Sequence, residues 1–124
     1  MINEEGEGWR LAVDFSREVF IALIGGDYWA IELTESEWNS LVPLVSDLVE
    51  QHKKLQAQMM PEEDINLEIE REQWWGSLDG DSSCWSLRLI FDGQGNRRSF
   101  EIFWPTPTAQ EVSKAMRNVW DSLQ

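Results

Sequence analysis

The sequence predicts an α+β domain: an antiparallel sheet with two helices packed on one face, built from two strand-strand-strand-helix repeats. Three observations carry this. Apolar residues alternate with polar ones in several short segments, as pleated strands require. Two longer segments instead repeat apolar residues at helical spacing. Each helical segment opens with threonine three residues before glutamate, Thr34 with Glu37 and Thr108 with Glu111, the spacing of a capping box.

Residues 1–8, MINEEGEG, are acidic and glycine-containing and are expected to be a disordered N-terminus. Residues 9–15 alternate, with Trp9, Leu11, Val13 and Phe15 facing inward. Residues 19–24 form a second apolar strand. Gly25-Gly26-Asp27 then supplies positive-φ residues for a tight turn into a third strand over residues 28–33, with Trp29, Ile31 and Leu33 on one face. From Glu35 a long helix carries the stripe Trp38, Leu41, Val42, Val45, Leu48, Val49, His52, Leu55 and Met59. Pro43 lies inside it. A proline there removes one hydrogen bond and costs ~3 kcal/mol, so a kink between Asn39 and Pro43 is expected.

Pro61 and the acidic run Glu62-Glu63-Asp64 read as a linker between pseudo-repeats at about 9–60 and 64–124 of a single domain spanning 1–124. Ile65, Leu67 and Ile69 then alternate with Asn66, Glu68 and Glu70, giving a strand with an acidic outer face on which Glu72 is also expected. Residues 74–78 form a short strand. After the turn residues Asp79 to Ser83, Trp85, Leu87, Leu89 and Phe91 oppose Cys84, Ser86, Arg88 and Ile90. Asp92 to Asn96 is a hairpin loop, and residues 98–104 place Phe100, Ile102 and Trp104 on one face. The last helix presents Val112, Ala115, Met116, Val119 and Leu123.

A chain of 124 residues buries roughly two thirds of its unfolded surface, enough for a core. Its formal net charge is -13, a field that disfavours nucleic acid and anionic membranes and draws in basic partners. One cysteine, Cys84, excludes an intramolecular disulfide and a thiol cluster, which fits a cytoplasmic protein. No apolar run approaches the ~20 residues of a membrane span. Oligomeric state is left open: sheet edges invite pairing between copies, and like charge opposes it.

The runs GGDYWAIELTESEW, GWRL and CWSLRLIF resemble a small uncharacterised cyanobacterial family, domain of unknown function 1818, over nearly the whole chain. The resemblance implies a Whirly-like fold, that of single-stranded-DNA-binding regulators, with two strand-helix repeats. It implies no activity, and the lysine-rich nucleic-acid motif of the Whirly proteins has no counterpart here.

Eight tryptophans are the most unusual feature. Core packing is the plain reading for Trp9, Trp29, Trp38 and Trp104. Trp74 and Trp75 are adjacent and so lie on opposite faces of a strand, which puts at least one of them on a partner surface. Glu68 and Glu70 give that surface its acidity. Arg97 and Arg98 are the cationic candidates; as a phosphate site they are too few, and a guard on a sheet edge is the simpler role. His52 reads as a packed helix residue. The clustered acids lack the spacing of a calcium loop, so no metal, cofactor or catalytic constellation is assigned. The function expected is a non-enzymatic binding or regulatory module of a phototroph that docks a protein partner through an acidic, tryptophan-bearing surface. A single-stranded nucleic-acid binder is the first alternative and an acidic-site hydrolase the second.

Overall fold

The computed structural model describes residues 1–95 and 97–123. Asn96, assigned above to a hairpin loop, lies outside the described residues. Four strands, β1 (Ile2–Gly6), β2 (Trp9–Val13), β3 (Phe20–Gly25) and β4 (Ala30–Thr34), lead into helix α1 (Glu35–Gln56). Four more, β5 (Ile65–Arg71), β6 (Trp74–Gly80), β7 (Trp85–Phe91) and β8 (Phe100–Trp104), lead into α2 (Thr108–Ser122). The α+β class and the doubled strand-to-helix order hold. The strands divide into two four-stranded antiparallel sheets, each ordered as in the chain.

The extra strand of the first unit is a correction to the expected disordered terminus. Residues 2–6 pair with β2 from Ile2 opposite Val13 to Gly6 opposite Trp9, and Gly8, at φ 83°, makes the turn between them. The acids that suggested fraying, Glu4 and Glu5, are both exposed on this edge strand, where charge discourages further pairing. Strand β2 stops at Val13 rather than Phe15. Asp14 accepts from the Ser16 amide at 3.1 Å and the Ser16 hydroxyl at 2.6 Å, a side-chain turn that leaves Phe15 exposed. Gly25 and Gly26 do not have positive φ. Gly26 is required for a different reason: a Cβ there would collide with the indole of Trp29, which folds back over it and meets Trp104 at 5.5 Å between ring centroids.

Helix α1 runs unbroken across Pro43. Thr34 and Glu37 form the expected capping box: Thr34 Oγ1 accepts from the Glu37 amide at 3.2 Å, and Glu37 Oε1 accepts from the Thr34 amide at 2.9 Å. The buried stripe ends at His52, and Leu55 and Met59 are exposed. The second box does not form. Thr108 is already inside helix α2, no side chain caps Pro107, and the carbonyl of Pro105 accepts from the Ala109 amide at 2.8 Å instead. Glu111, freed from capping, accepts from Trp9 Nε1 at 3.3 Å.

Each helix serves both sheets. α1 packs on β3 and β4 of the first sheet and on β5 and β6 of the second, and α2 packs on β1 and β2 and on β7. One cluster of buried residues therefore runs through both units. Trp38 and Trp104 are among its largest members. Trp104 Nε1 donates to the Gly25 carbonyl at 3.1 Å, tying β8 to β3. Trp38 Nε1 has no partner among the described residues. Burying its ring stabilises by about 4–6 kcal/mol, more than the ~1–3 kcal/mol lost on the unpaired N–H.

Arg98 is a second tie between the units. Its guanidinium lies 5.0 Å from the Phe20 ring centroid and 4.9 Å from that of Phe100, and Nη2 donates to Glu37 Oε1. Glu37 is largely buried, with side-chain exposure of 11%, so the cation compensates a carboxylate that water reaches poorly.

Two outcomes follow for stability, read as urea midpoints at constant slope. Thr34→Ala costs about 1 kcal/mol, whereas Thr108→Ala stays within about 0.5 kcal/mol; equal losses would contradict the single capping box. Arg98→Ala costs roughly 1–3 kcal/mol, the worth of a charge-assisted hydrogen bond to a shielded acid, while Arg97→Ala stays within about 0.5 kcal/mol.

Candidate outer-sheet docking face

The register of the second sheet separates its two faces. One carries the rows Leu67, Leu78, Leu87, Trp104 and Ile69, Gly76, Leu89, Ile102, which meet the helices. Gly76 is glycine because the δ-carbons of Leu48 and Leu89 occupy the place of a side chain, at 2.9 and 3.0 Å from where a Cβ would sit. The other face carries the rows Glu70, Trp75, Ile90, Glu101 and Glu68, Ser77, Arg88, Phe103. Neither helix covers it.

Directly opposed residues on one face stand about 5 Å apart at Cβ, and diagonal ones about 7–8 Å. Trp75 and Ile90 are opposed, and Phe103 is diagonal to Ile90. They form an apolar band in which Ile90 is 36% and Phe103 37% exposed, with Trp75 half-buried. Arg88 crosses the band, its guanidinium 4.6 Å from the Phe103 ring centroid and its Nη1 2.6 Å from Glu101 Oε2. Its charge is thereby neutralised. Glu68 and Glu70 remain exposed along β5, so the rim of the band is anionic.

Of the residues singled out from sequence, Glu68, Glu70 and Trp75 come together here. Trp74 does not. It points into the core at 3% exposure, donates from Nε1 to Ser40 Oγ at 2.8 Å and packs on Phe91 at 4.8 Å. Arg98 is engaged in the tie with Glu37 while still exposed, and Arg97 is exposed in the loop before β8. Glu72 leaves the acidic face as well, because β5 ends at Arg71 and Glu72 turns with φ 55°. Ile90, Phe103, Arg88 and Glu101 were missed. Their signal was two apolar residues on the polar side of β7 and β8, meaningful only once the strands are known to be neighbours.

His52, buried at 3% exposure, places Nε2 3.1 Å from the Gly80 carbonyl, a structural contact. Asp81 lies in the loop after it. The Ser83 amide first, and then the Cys84 amide, hold its carboxyl below the ordinary 3.8. Asp14 is lowered likewise, chiefly by the Ser16 hydroxyl. Both shifts keep a loop-capping carboxylate ionised, opposite in sign to what a general acid requires. No group of three metal-ligating side chains gathers among the described residues.

A model of the family described as domain of unknown function (DUF1818) matches residues 4–119, a span that enters both sheets and both helices. The chain belongs to the DUF1818 family. A crystal structure of a protein with unknown function from Prochlorococcus sp. NATL2A, described as from the DUF155 family, is 47% identical to it. The likeness covers 97% of this chain and 99% of that one, with a TM-score of 0.89. No curated protein matches this DUF1818 chain. No helix among the described residues is long and apolar enough to cross a membrane.

The two neighbouring tryptophans are expected to behave oppositely. Trp74→Ser removes a core ring and costs ~3–5 kcal/mol, and Trp75→Ser costs less than about 1 kcal/mol. Urea unfolding of the two variants checks this, and comparable losses would contradict the assignment of faces.

Proposed function

We propose that this DUF1818 protein is a non-enzymatic binding module of a phototroph, which docks a protein partner on the outer face of its second sheet. The observation that carries the reading is the band of Trp75, Ile90 and Phe103, uncovered by either helix and edged by Glu68 and Glu70. Aromatic and aliphatic side chains at the centre of a polar rim are the usual anatomy of an interface. The anionic edge and the net charge of -13 favour a partner with basic residues around an apolar centre, drawn in by the field and held by the band. The Prochlorococcus relative supports the phototrophic setting. The doubled strand-to-helix pattern supports keeping the Whirly-like architecture as part of this reading.

Two aromatics beside an arginine favour one alternative, an unpaired nucleic-acid strand stacked on Trp75 and Phe103. Electrostatics weigh against it. The arginine is engaged by Glu101, and the remaining charges on that face repel phosphates.

Immobilised wild-type protein, challenged with phototroph lysate, is expected to retain a partner in a salt-sensitive manner. Trp75→Ser is expected to weaken that capture more than tenfold, as loss of an aromatic anchor worth ~2 kcal/mol requires, and Glu68→Lys with Glu70→Lys to weaken it further. Equal capture by wild type and both variants would contradict the proposal. Tryptophan fluorescence during titration with an oligo-dT strand at low salt is expected to stay unchanged at micromolar concentrations. Saturable quenching that disappears in Trp75→Ser would support the nucleic-acid alternative instead.

A further inference from the structure

The geometry points to a second site, a groove between α1 and α2 that binds a small organic anion with a flat apolar body, such as an aryl or short acyl carboxylate. The groove has a volume of about 400 Å³, within the range of small-molecule sites. It lies on the helix side of the second sheet, away from the docking band. Its floor is apolar: Val42 and Val45 of α1, Met116 of α2 and the ring of Trp85, all nearly fully buried. Arg117 bridges the helices by donating from Nη1 to Ser46 Oγ at 2.6 Å, while Asp121 engages its Nε at 3.3 Å. That contact makes the groove part of the folded structure rather than a gap opened by the ligand.

The charge at its mouth selects the ligand. The chain has ten lysines and arginines against 23 acids, yet Lys53 of α1 and Lys114 of α2 both line this groove. Neither forms an ion pair among the described residues. Glu50 shares the rim one turn from Lys53 without pairing to it, which leaves the mouth with an excess of positive charge. Two unpaired ammonium groups above an apolar floor complement a molecule that is anionic at one end and flat and apolar at the other. A neutral apolar ligand would use the floor and not the lysines. A polyanion would use the lysines and meet the acidic surface beyond them.

The probe is 8-anilinonaphthalene-1-sulfonate, titrated into the isotopically labelled full chain while amide and indole resonances are followed. Saturable shifts of the Trp85 indole N–H and of the Val45 and Val49 amides are expected. Lys53→Glu combined with Lys114→Glu, at exposed positions, is expected to weaken binding at least about tenfold, the effect of reversing two partly exposed charge contacts. Uncharged N-phenyl-1-naphthylamine is expected to bind both proteins alike. The inference is overturned if the sulfonate gives no saturable shifts, if the charge-reversed protein binds it equally well, or if the shifts gather on Trp75, Ile90 and Phe103. The last result would place the probe on the docking band and leave the proposed function standing without this site.

Discussion

Two sheets with one apolar face each must be covered by only two helices, and this constraint shapes the whole molecule. A helix offers a single stripe, and a stripe of ordinary width covers a few strands at most. Here neither helix is reserved for the sheet that precedes it. α1 reaches from its own β3 and β4 onto β5 and β6, and α2 reaches back from β7 onto β1 and β2. Each unit alone would leave apolar surface wet that the other unit's helix now covers. Together they close one core, and Trp104 with Arg98 fastens the seam where β8 passes β3 and the entrance of α1.

The same economy creates both surfaces to which function is assigned. Because the helices are shared on the inside, the outer face of the second sheet has no helix over it, and that face retains three large apolar residues. Because the helices lie beside one another over a common core, the channel between them keeps the ring of Trp85 as its floor. On the functions proposed, the acidic exterior divides these surfaces by ligand. The open face is edged by carboxylates and suits a basic partner, whereas the inter-helix mouth is where two lysines escape neutralisation.

Much of the fold was legible in the sequence because burial follows periodicity. Alternation in β7 identified its four buried residues, and the Thr34 box marked the entrance of α1. What was not legible depended on contacts between distant residues. Thr108 and Glu111 have the same spacing as the first box, but Thr108 already lies inside α2 and the Pro105 carbonyl accepts from the Ala109 amide where the hydroxyl was expected to act. Arg98 beside Arg97 resembles a free basic pair until Phe20, Glu37 and Phe100 are brought beside Arg98. An acidic start resembles a disordered tail, although an edge strand held by its backbone pairing with β2 can leave side chains of both faces in water. The candidate site was half legible for the same reason: Trp75, Glu68 and Glu70 lie close in sequence, and Ile90 and Phe103 join them only through strand pairing.

Because one core holds both strand-helix units, they are expected not to fold separately. Differential scanning calorimetry of the full chain tests this. A shared core predicts one transition with an enthalpy of about 90 kcal/mol at this length and a ratio of calorimetric to van't Hoff enthalpy near one. Two resolved transitions, or one whose ratio approaches two, would show that the units melt independently and would contradict the account.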